Sequence, residues 1–189
     1  MKLVCLLGSP RRRGSTAAIA EDLCSRAEEH GAKVHKWALN DLDFRGCQGC
    51  MACKTRLDHC VLTDDLAPIL GEIAGAQVLV LTSPVYFGDV TSQLKQFIDR
   101  TFSFLTPDFH TAANKSRLTP GKKLVFIQSQ GNSDTGTFDD IYPKYEFFFR
   151  WYGFTESHLI RACGDLNANE ALKRGVDAQV ETVARSLFS

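Results

Sequence analysis

The chain has 189 residues, 44% of them hydrophobic, with 22 basic and 22 acidic side chains and hence no formal net charge. That length fits one domain with a sizeable core, and balanced charge supplies no field to draw the chain toward nucleic acid or an anionic membrane. No apolar run approaches the roughly 18–20 residues of a membrane helix, and the apolar run after Lys2 is too short for a secretory leader, so the expected location is the cytoplasm.

In chain order, residues 2–7 read as a buried strand. They run into Gly8-Ser9-Pro10-Arg11-Arg12-Arg13-Gly14-Ser15-Thr16, and a helix follows over 15–30, with Ala18, Ile19, Leu23 and Ala27 at helical spacing. Ser15 or a neighbour is the natural N-cap and Gly31 the closing glycine. Free N–H groups at a helix N-terminus, together with the helix dipole, favour an anion. The loop therefore reads as a phosphate site, and the alternative is a surface turn with solvated arginines. Residues 32–39 read as a second, edge-like strand, and a cysteine loop spans 46–62. Thr63, Asp64 and Asp65 read as the cap of a helix that runs to about Gly75.

Residues 77–81 form the clearest buried strand, ending in Thr82-Ser83-Pro84-Val85-Tyr86-Phe87-Gly88. A helix over 91–104 puts Leu94, Phe97, Ile98 and Phe102 on one face. Residues 105–121 look irregular. A fourth strand at 124–127 ends in Gln128-Ser129-Gln130-Gly131-Asn132. An aromatic-rich helix spans 138–151, a fifth strand 154–161 and a last helix 168–187. Five strands alternating with five helices imply one α/β domain over 1–189, with a parallel sheet between two helix layers. The flavodoxin-like three-layer sandwich with strand order 2-1-3-4-5 is the leading topology. The loops after strands 1 to 4 would then share one rim, where such sheets bind ligands.

Pro84, Val85, Tyr86, Phe87 and Gly88 offer a stiff turn, backbone amides and two rings, which suits a flat heteroaromatic ligand. The alternative is an ordinary turn whose Tyr and Phe pack inward. Gln130 adds a polar group, and Gly131 permits close backbone approach. A phosphate at one end and a flat ring at the other describe a mononucleotide such as flavin mononucleotide (FMN). A dinucleotide fits less well, because the first loop has no Gly-x-Gly-x-x-Gly.

Four of the seven cysteines, Cys47, Cys50, Cys53 and Cys60, fall within fourteen residues. Four thiolates at that spacing can hold a [4Fe–4S] cluster. A zinc ion and a metal-free redox thiol loop are the other readings. His59 reads as an exposed loop residue, and Cys5, Cys24 and Cys163 as packing residues. Phe147, Phe148, Phe149, Trp151 and Tyr152 read as core or subunit interface. Asp139, Asp140 and Glu146 read as a solvated face.

The first loop, the stretch Ser83–Arg100 and the run Gly46–Cys53 with Cys60 together resemble the NADPH-dependent FMN reductase group of flavodoxin-like proteins, in its iron–sulfur flavoprotein branch. The resemblance covers about residues 2–132. It implies non-covalent FMN, with the phosphate against Ser9, Arg11, Gly14, Ser15 and Thr16. Arg12 and Arg13 would face solvent. The ring and ribityl chain would lie along Pro84–Gly88, with Gln130 and Gly131 nearby. It also implies a [4Fe–4S] cluster on the four cysteines, NAD(P)H as a possible donor, a small-molecule acceptor such as a quinone or free flavin, and a homodimer or homotetramer. No side chain is named as a general acid or base. Two other functions stay open: an electron carrier without its own substrate, and a redox-sensing domain with a thiol loop.

Overall fold

The structure, a computed structural model, describes residues 1–164 and 175–188. Five parallel strands form one sheet: β1 (Lys2–Leu7), β2 (Lys33–Ala38), β3 (Val78–Pro84), β4 (Lys122–Gln130) and β5 (Phe154–Cys163), in the order β2-β1-β3-β4-β5. This is the expected flavodoxin-like sandwich. Side chains alternate across each strand, and both faces are covered. Val4, Leu6, Leu79, Leu81, Leu124 and Phe126 enter one core. Leu3, Cys5, Val78, Val80, Val125 and Ile127 enter the other. Double burial is why these strands read as continuous apolar runs.

The second core is closed by α1 (Ser15–Glu29), which packs Ile19, Leu23 and Cys24 on the sheet, and by the C-terminal helix Asp177–Phe188. The first is closed by α3 (Leu66–Ala74), α4 (Ser92–Arg100) and α5 (Ile141–Trp151). A four-residue α2 (Ala52–Thr55) lies inside the cysteine loop, where no helix was expected. With it, the C-terminal helix is α6. Residues 168–174 of the expected last helix lie outside the described residues.

Several boundaries move. β4 extends through Gln130 and β5 through Cys163, so Gln128, Ser129 and Gln130 are strand residues rather than loop. Gly14, the neighbour of Ser15, is the N-cap of α1, and no side chain caps it. Asp65 occupies the N-cap position of α3 without a side-chain cap. Its carboxylate accepts from Asp43 N–H instead. Asp64 accepts from Arg45 N–H and from Arg100. Long-range partners outcompete the local cap, so both aspartates brace a loop. Glu146 is not part of a solvated face either: it holds Arg150 at 2.8 Å and accepts from Ser157 Oγ. The aromatic run divides, with Phe149 and Tyr152 buried and Phe147 and Phe148 exposed.

Candidate functional site

The parallel sheet brings the loops after β1, β3 and β4 to one rim. A cavity of about 150 Å³ lies between them, lined by Ser9, Arg11, Gly14, Ser15, Thr16, Pro84, Val85, Tyr86, Ser129, Gln130 and Gly131. Ten of the twelve residues expected around FMN are in that lining. Phe87 and Gly88 stand just outside it, and Ser129 is an addition. Its signal was its place beside Gln130 at the end of a strand on the rim.

The first loop is built around Gly8. Its N–H donates to Thr82 O at 3.0 Å, and its carbonyl accepts from Thr91 Oγ1 at 2.7 Å. A Cβ on Gly8 would lie 2.5 Å from Thr82 O. The close approach therefore excludes any side chain. Ser9 Oγ then accepts from Arg11 N–H at 3.1 Å, and Gly14 N–H donates to Arg11 O at 3.2 Å. The first helical bond within α1 is Ala18 N–H to Gly14 O. The preceding N–H groups of the first turn have no intrahelical acceptor, and no side chain caps them. The dipole makes this end of α1 electropositive, and it borders the cavity. Arg11 lines the cavity, whereas Arg12 turns to Asp41 at 2.9 Å.

The loop after β3 closes on itself. Tyr86 N–H donates to Asp89 O at 2.8 Å, and Asp89 N–H returns to Tyr86 O at 3.1 Å. The two residues between have φ of +52° (Phe87) and +82° (Gly88), so both central positions are left-handed. The Asp89 carboxylate is tied down by Lys144 Nζ and Tyr145 Oη, each at 2.8 Å. Burial works against this carboxylate, but the two donors outweigh it and hold its pKa below the usual value. Tyr86 and Phe87 are both exposed, Phe87 completely. They do not pack inward.

A phenylalanine at positive φ is strained by about 1–2 kcal/mol, and no core contact repays it. Phe87→Gly is therefore expected to raise thermal stability by about 1 kcal/mol while weakening flavin binding several-fold. Thermal melts with and without FMN read both effects. A variant with unchanged flavin affinity would remove Phe87 from the site.

Gln130 is differently employed from the expectation. Its amide nitrogen donates to Asn132 O and Asp134 O, and its Oε1 accepts from Arg161 at 2.6 Å. The side chain organises the loop after β4 and borders the cavity by its position. Arg161, which the sequence did not reveal, also donates to Thr135 O and Thr137 O.

The cysteine loop does not join that rim as expected: it runs along α4, with Gly46 beside Gln96 and Cys60 held by Arg100 at the end of the helix away from Gly8. Cys47, Cys50, Cys53 and Cys60 line one small cavity of about 30 Å³. Gly49 and Met51 have positive φ in this winding. Among the described residues, no three metal-ligating side chains gather closely enough to hold a metal ion. The donor set suits a four-thiolate site. The packing does not leave space for a cluster, since the cavity of about 30 Å³ has room for about two waters.

Arg100 anchors this loop from α4. Its side chain has no exposed surface. Nη1 and Nη2 pair bidentately with Asp64 at 2.7 and 3.1 Å, Nη1 also reaches Arg45 O, Nη2 reaches Leu62 O, and Nε donates to Cys60 Sγ at 3.0 Å. All five N–H donors are used. Arg117 Nη2 donates to Cys53 O, and Lys54 Nζ to Phe102 O and Leu105 O. Burial lowers the Lys54 pKa. A sequence signal existed for Arg100. It sits three residues after Phe97, in line with the buried face of α4. His59 is exposed as expected, beside Asp58 at 2.7 Å.

Residues 1–138 match the family described as NADPH-dependent FMN reductase. The chain belongs to that family. Within it, the chain is 36% identical over 101 residues to an iron-sulfur flavoprotein of Methanocaldococcus jannaschii, covering 53% of this chain and 52% of that protein. A second iron-sulfur flavoprotein of that organism is 30% identical over 148 residues, covering 78% of this chain and 71% of its own. The match spans about half the length of most of the iron-sulfur flavoproteins it aligns with. Among solved structures, an NAD(P)H:quinone oxidoreductase from Methanothermobacter marburgensis superposes with a TM-score of 0.73 at 16% identity, covering 100% of this chain and 94% of its own. An FMN-dependent NADH-azoreductase from Bacillus anthracis in complex with FMN gives 0.73 at 16%, covering 100% and 99%. These two likenesses show that this chain shares its fold with both structures.

Proposed function

We propose that the chain binds FMN without a covalent bond and works as an FMN-dependent oxidoreductase, with NADH or NADPH as donor and a quinone or free flavin as acceptor. The observation that carries this reading is one cavity bordered by three rim loops, with an uncapped helix N-terminus on one side and exposed aromatic rings on the other. Ser9, Arg11, Gly14, Ser15 and Thr16 would hold the phosphate. At about 150 Å³ the cavity is smaller than the roughly 300–1,000 Å³ that encloses a drug-sized ligand. It suits the phosphate and ribityl chain, leaving the ring to lie outward along Pro84–Gly88, against Tyr86 and Phe87. Bound FMN supplies hydride and electron transfer, while the protein orients it and governs access. Family membership supports the same reading, as do relatives named FMN-dependent NADH:quinone oxidoreductases.

Cys47, Cys50, Cys53 and Cys60 are the proposed ligands of a [4Fe–4S] cluster, which supplies one-electron transfer when bound. Their spacing and the names of the relatives support this, while the packing of the loop described above does not and would have to open to admit the group. The exposed Phe147 and Phe148 support a homodimer or homotetramer. No helix among the described residues is long and apolar enough to cross a membrane, and the cytoplasm remains the proposed location.

Protein prepared without oxygen is expected to oxidise NADH or NADPH with a quinone only when FMN is present, and to carry about four irons and four acid-labile sulfides per chain. Flavin-independent oxidation would overturn the first assignment, and iron-free protein the second.

A further inference from the structure

The cysteine loop also walls a cavity of about 290 Å³ that the flavin reading leaves unused. Leu70 and Gly71 of α3, with Phe104 and Leu118, form its apolar side. Cys60 and Arg117 border it from the loop side, and the Asp58–His59 pair is also in its lining. Asp58 and His59 are exposed, and Asp58 is already held by His59 at 2.7 Å.

Two features point to a ligand. The first is Arg117. Nη1 donates to Ser103 O at 2.8 Å and to Leu105 O, and Nη2 donates to Cys53 O at 2.8 Å. Three backbone carbonyls thus fix the guanidinium at the cavity. Its Nε–H and second Nη2–H have no acceptor among the described residues. The second is Gly71. It lies within α3, its φ is not positive, and a Cβ there would meet nothing within 4 Å. Neither backbone nor packing calls for glycine, which is a poorer helix former than alanine. Gly71 is exposed at the open edge of the cavity, where a side chain would narrow its mouth.

We infer that this cavity is a second small-molecule site, separate from the flavin cavity. Its ligand is a flat aromatic compound that presents a carbonyl or carboxylate oxygen to Arg117. An apolar cavity of about 150 Å³ takes one benzene ring, so 290 Å³ has room for two fused rings with one polar substituent. Cys60 borders both this cavity and the cysteine cavity, so the ligand lies against one of the four thiols. The inference stands on the cavity alone and does not require the flavin assignment.

The test is a ligand-observed NMR titration of the full chain, as purified with its cofactors, using 1-naphthoate and then naphthalene as probes. Saturable 1-naphthoate binding is expected, with naphthalene at least fivefold weaker. Gly71→Leu should weaken 1-naphthoate at least tenfold, because the new side chain obstructs the mouth of the cavity. The same substitution should leave FMN affinity unchanged and stability unchanged or higher. No saturable binding, equal binding by Gly71→Leu, or displacement of 1-naphthoate by FMN would overturn the site. So would a change of oligomeric state in Gly71→Leu by light scattering, which would make this face a contact between copies of the chain.

Discussion

Gly8→Ala is expected to destabilise the protein by about 1–3 kcal/mol and to weaken FMN binding more than tenfold. The added Cβ would lie 2.5 Å from Thr82 O, 3.0 Å from Leu94 Cβ and 3.2 Å from Thr91 Oγ1. The first of these is backbone inside β3, so no flexible side chain can yield. Relief requires β1 and β3 to separate at their carboxyl ends. That separation strains the Gly8–Thr82 and Thr91–Gly8 hydrogen bonds together. Thr91 also caps α4 by accepting from Leu94 N–H. The damage therefore spreads from the loop after β1 to the helix that carries Arg100. Differential scanning calorimetry and an FMN titration on the same sample measure the two effects. A variant with wild-type stability and affinity would show that the loop is not built on this close approach.

Asp64→Asn is expected to cost about 3–5 kcal/mol at neutral pH, because it strips the partner from a guanidinium with no exposed surface. For a chain of this size that is a fall in Tm of roughly 6–20 °C. Burial raises the Asp64 pKa, but the bonds from Arg100 and Arg45 N–H outweigh it, so the folded value lies below the usual one. A depressed carboxylate stabilises the fold fully above its unfolded pKa of about 3.9 and loses that contribution as pH falls through the folded value. The gap in Tm between wild type and Asp64→Asn should accordingly be full at pH 7 and close as the pH falls below the usual carboxylate range. A gap that stays constant down to pH 2 would mean that the charge of Asp64 is not what matters. The same variant should raise the reactivity of the cysteine loop toward thiol reagents, since Arg100 ties Cys60, Leu62 and Arg45 together.

The sheet was legible because β1, β3 and β4 are buried on both faces. Continuous runs such as Val78-Leu79-Val80-Leu81 allow little else between two helical segments. Most of the lining of the rim cavity was legible for a related reason. In a parallel sheet every strand delivers its following loop to the same rim, so loops distant in sequence meet without any need to know side-chain packing. What sequence could not supply was the competition for polar partners. Asp64 and Asp65 have the composition of a helix cap, but a buried arginine and two backbone N–H groups claim them instead. Gln130 sits where a ligand contact belongs, yet Arg161 and two loop carbonyls occupy its amide. Such allocations depend on angstrom-scale geometry between distant residues. The cysteine loop shows the same limit. Its spacing brings four thiols around one cavity, while the contact of Cys60 with Arg100 and the small cavity volume have no sequence signature.

The central claim is that Gly8–Thr16 anchors the cofactor by its phosphate. Parallel titrations of cofactor-free protein with FMN and with riboflavin, followed by quenching of flavin fluorescence, test it most directly. The two ligands share the ring and ribityl chain and differ only in the phosphate. Charge-assisted hydrogen bonds from the first turn of α1 contribute about 1.5–3 kcal/mol each, and about 2.7 kcal/mol corresponds to a hundredfold change in affinity. FMN should therefore bind at least about a hundredfold more tightly than riboflavin. Equal affinities, or no binding of either, would contradict the account.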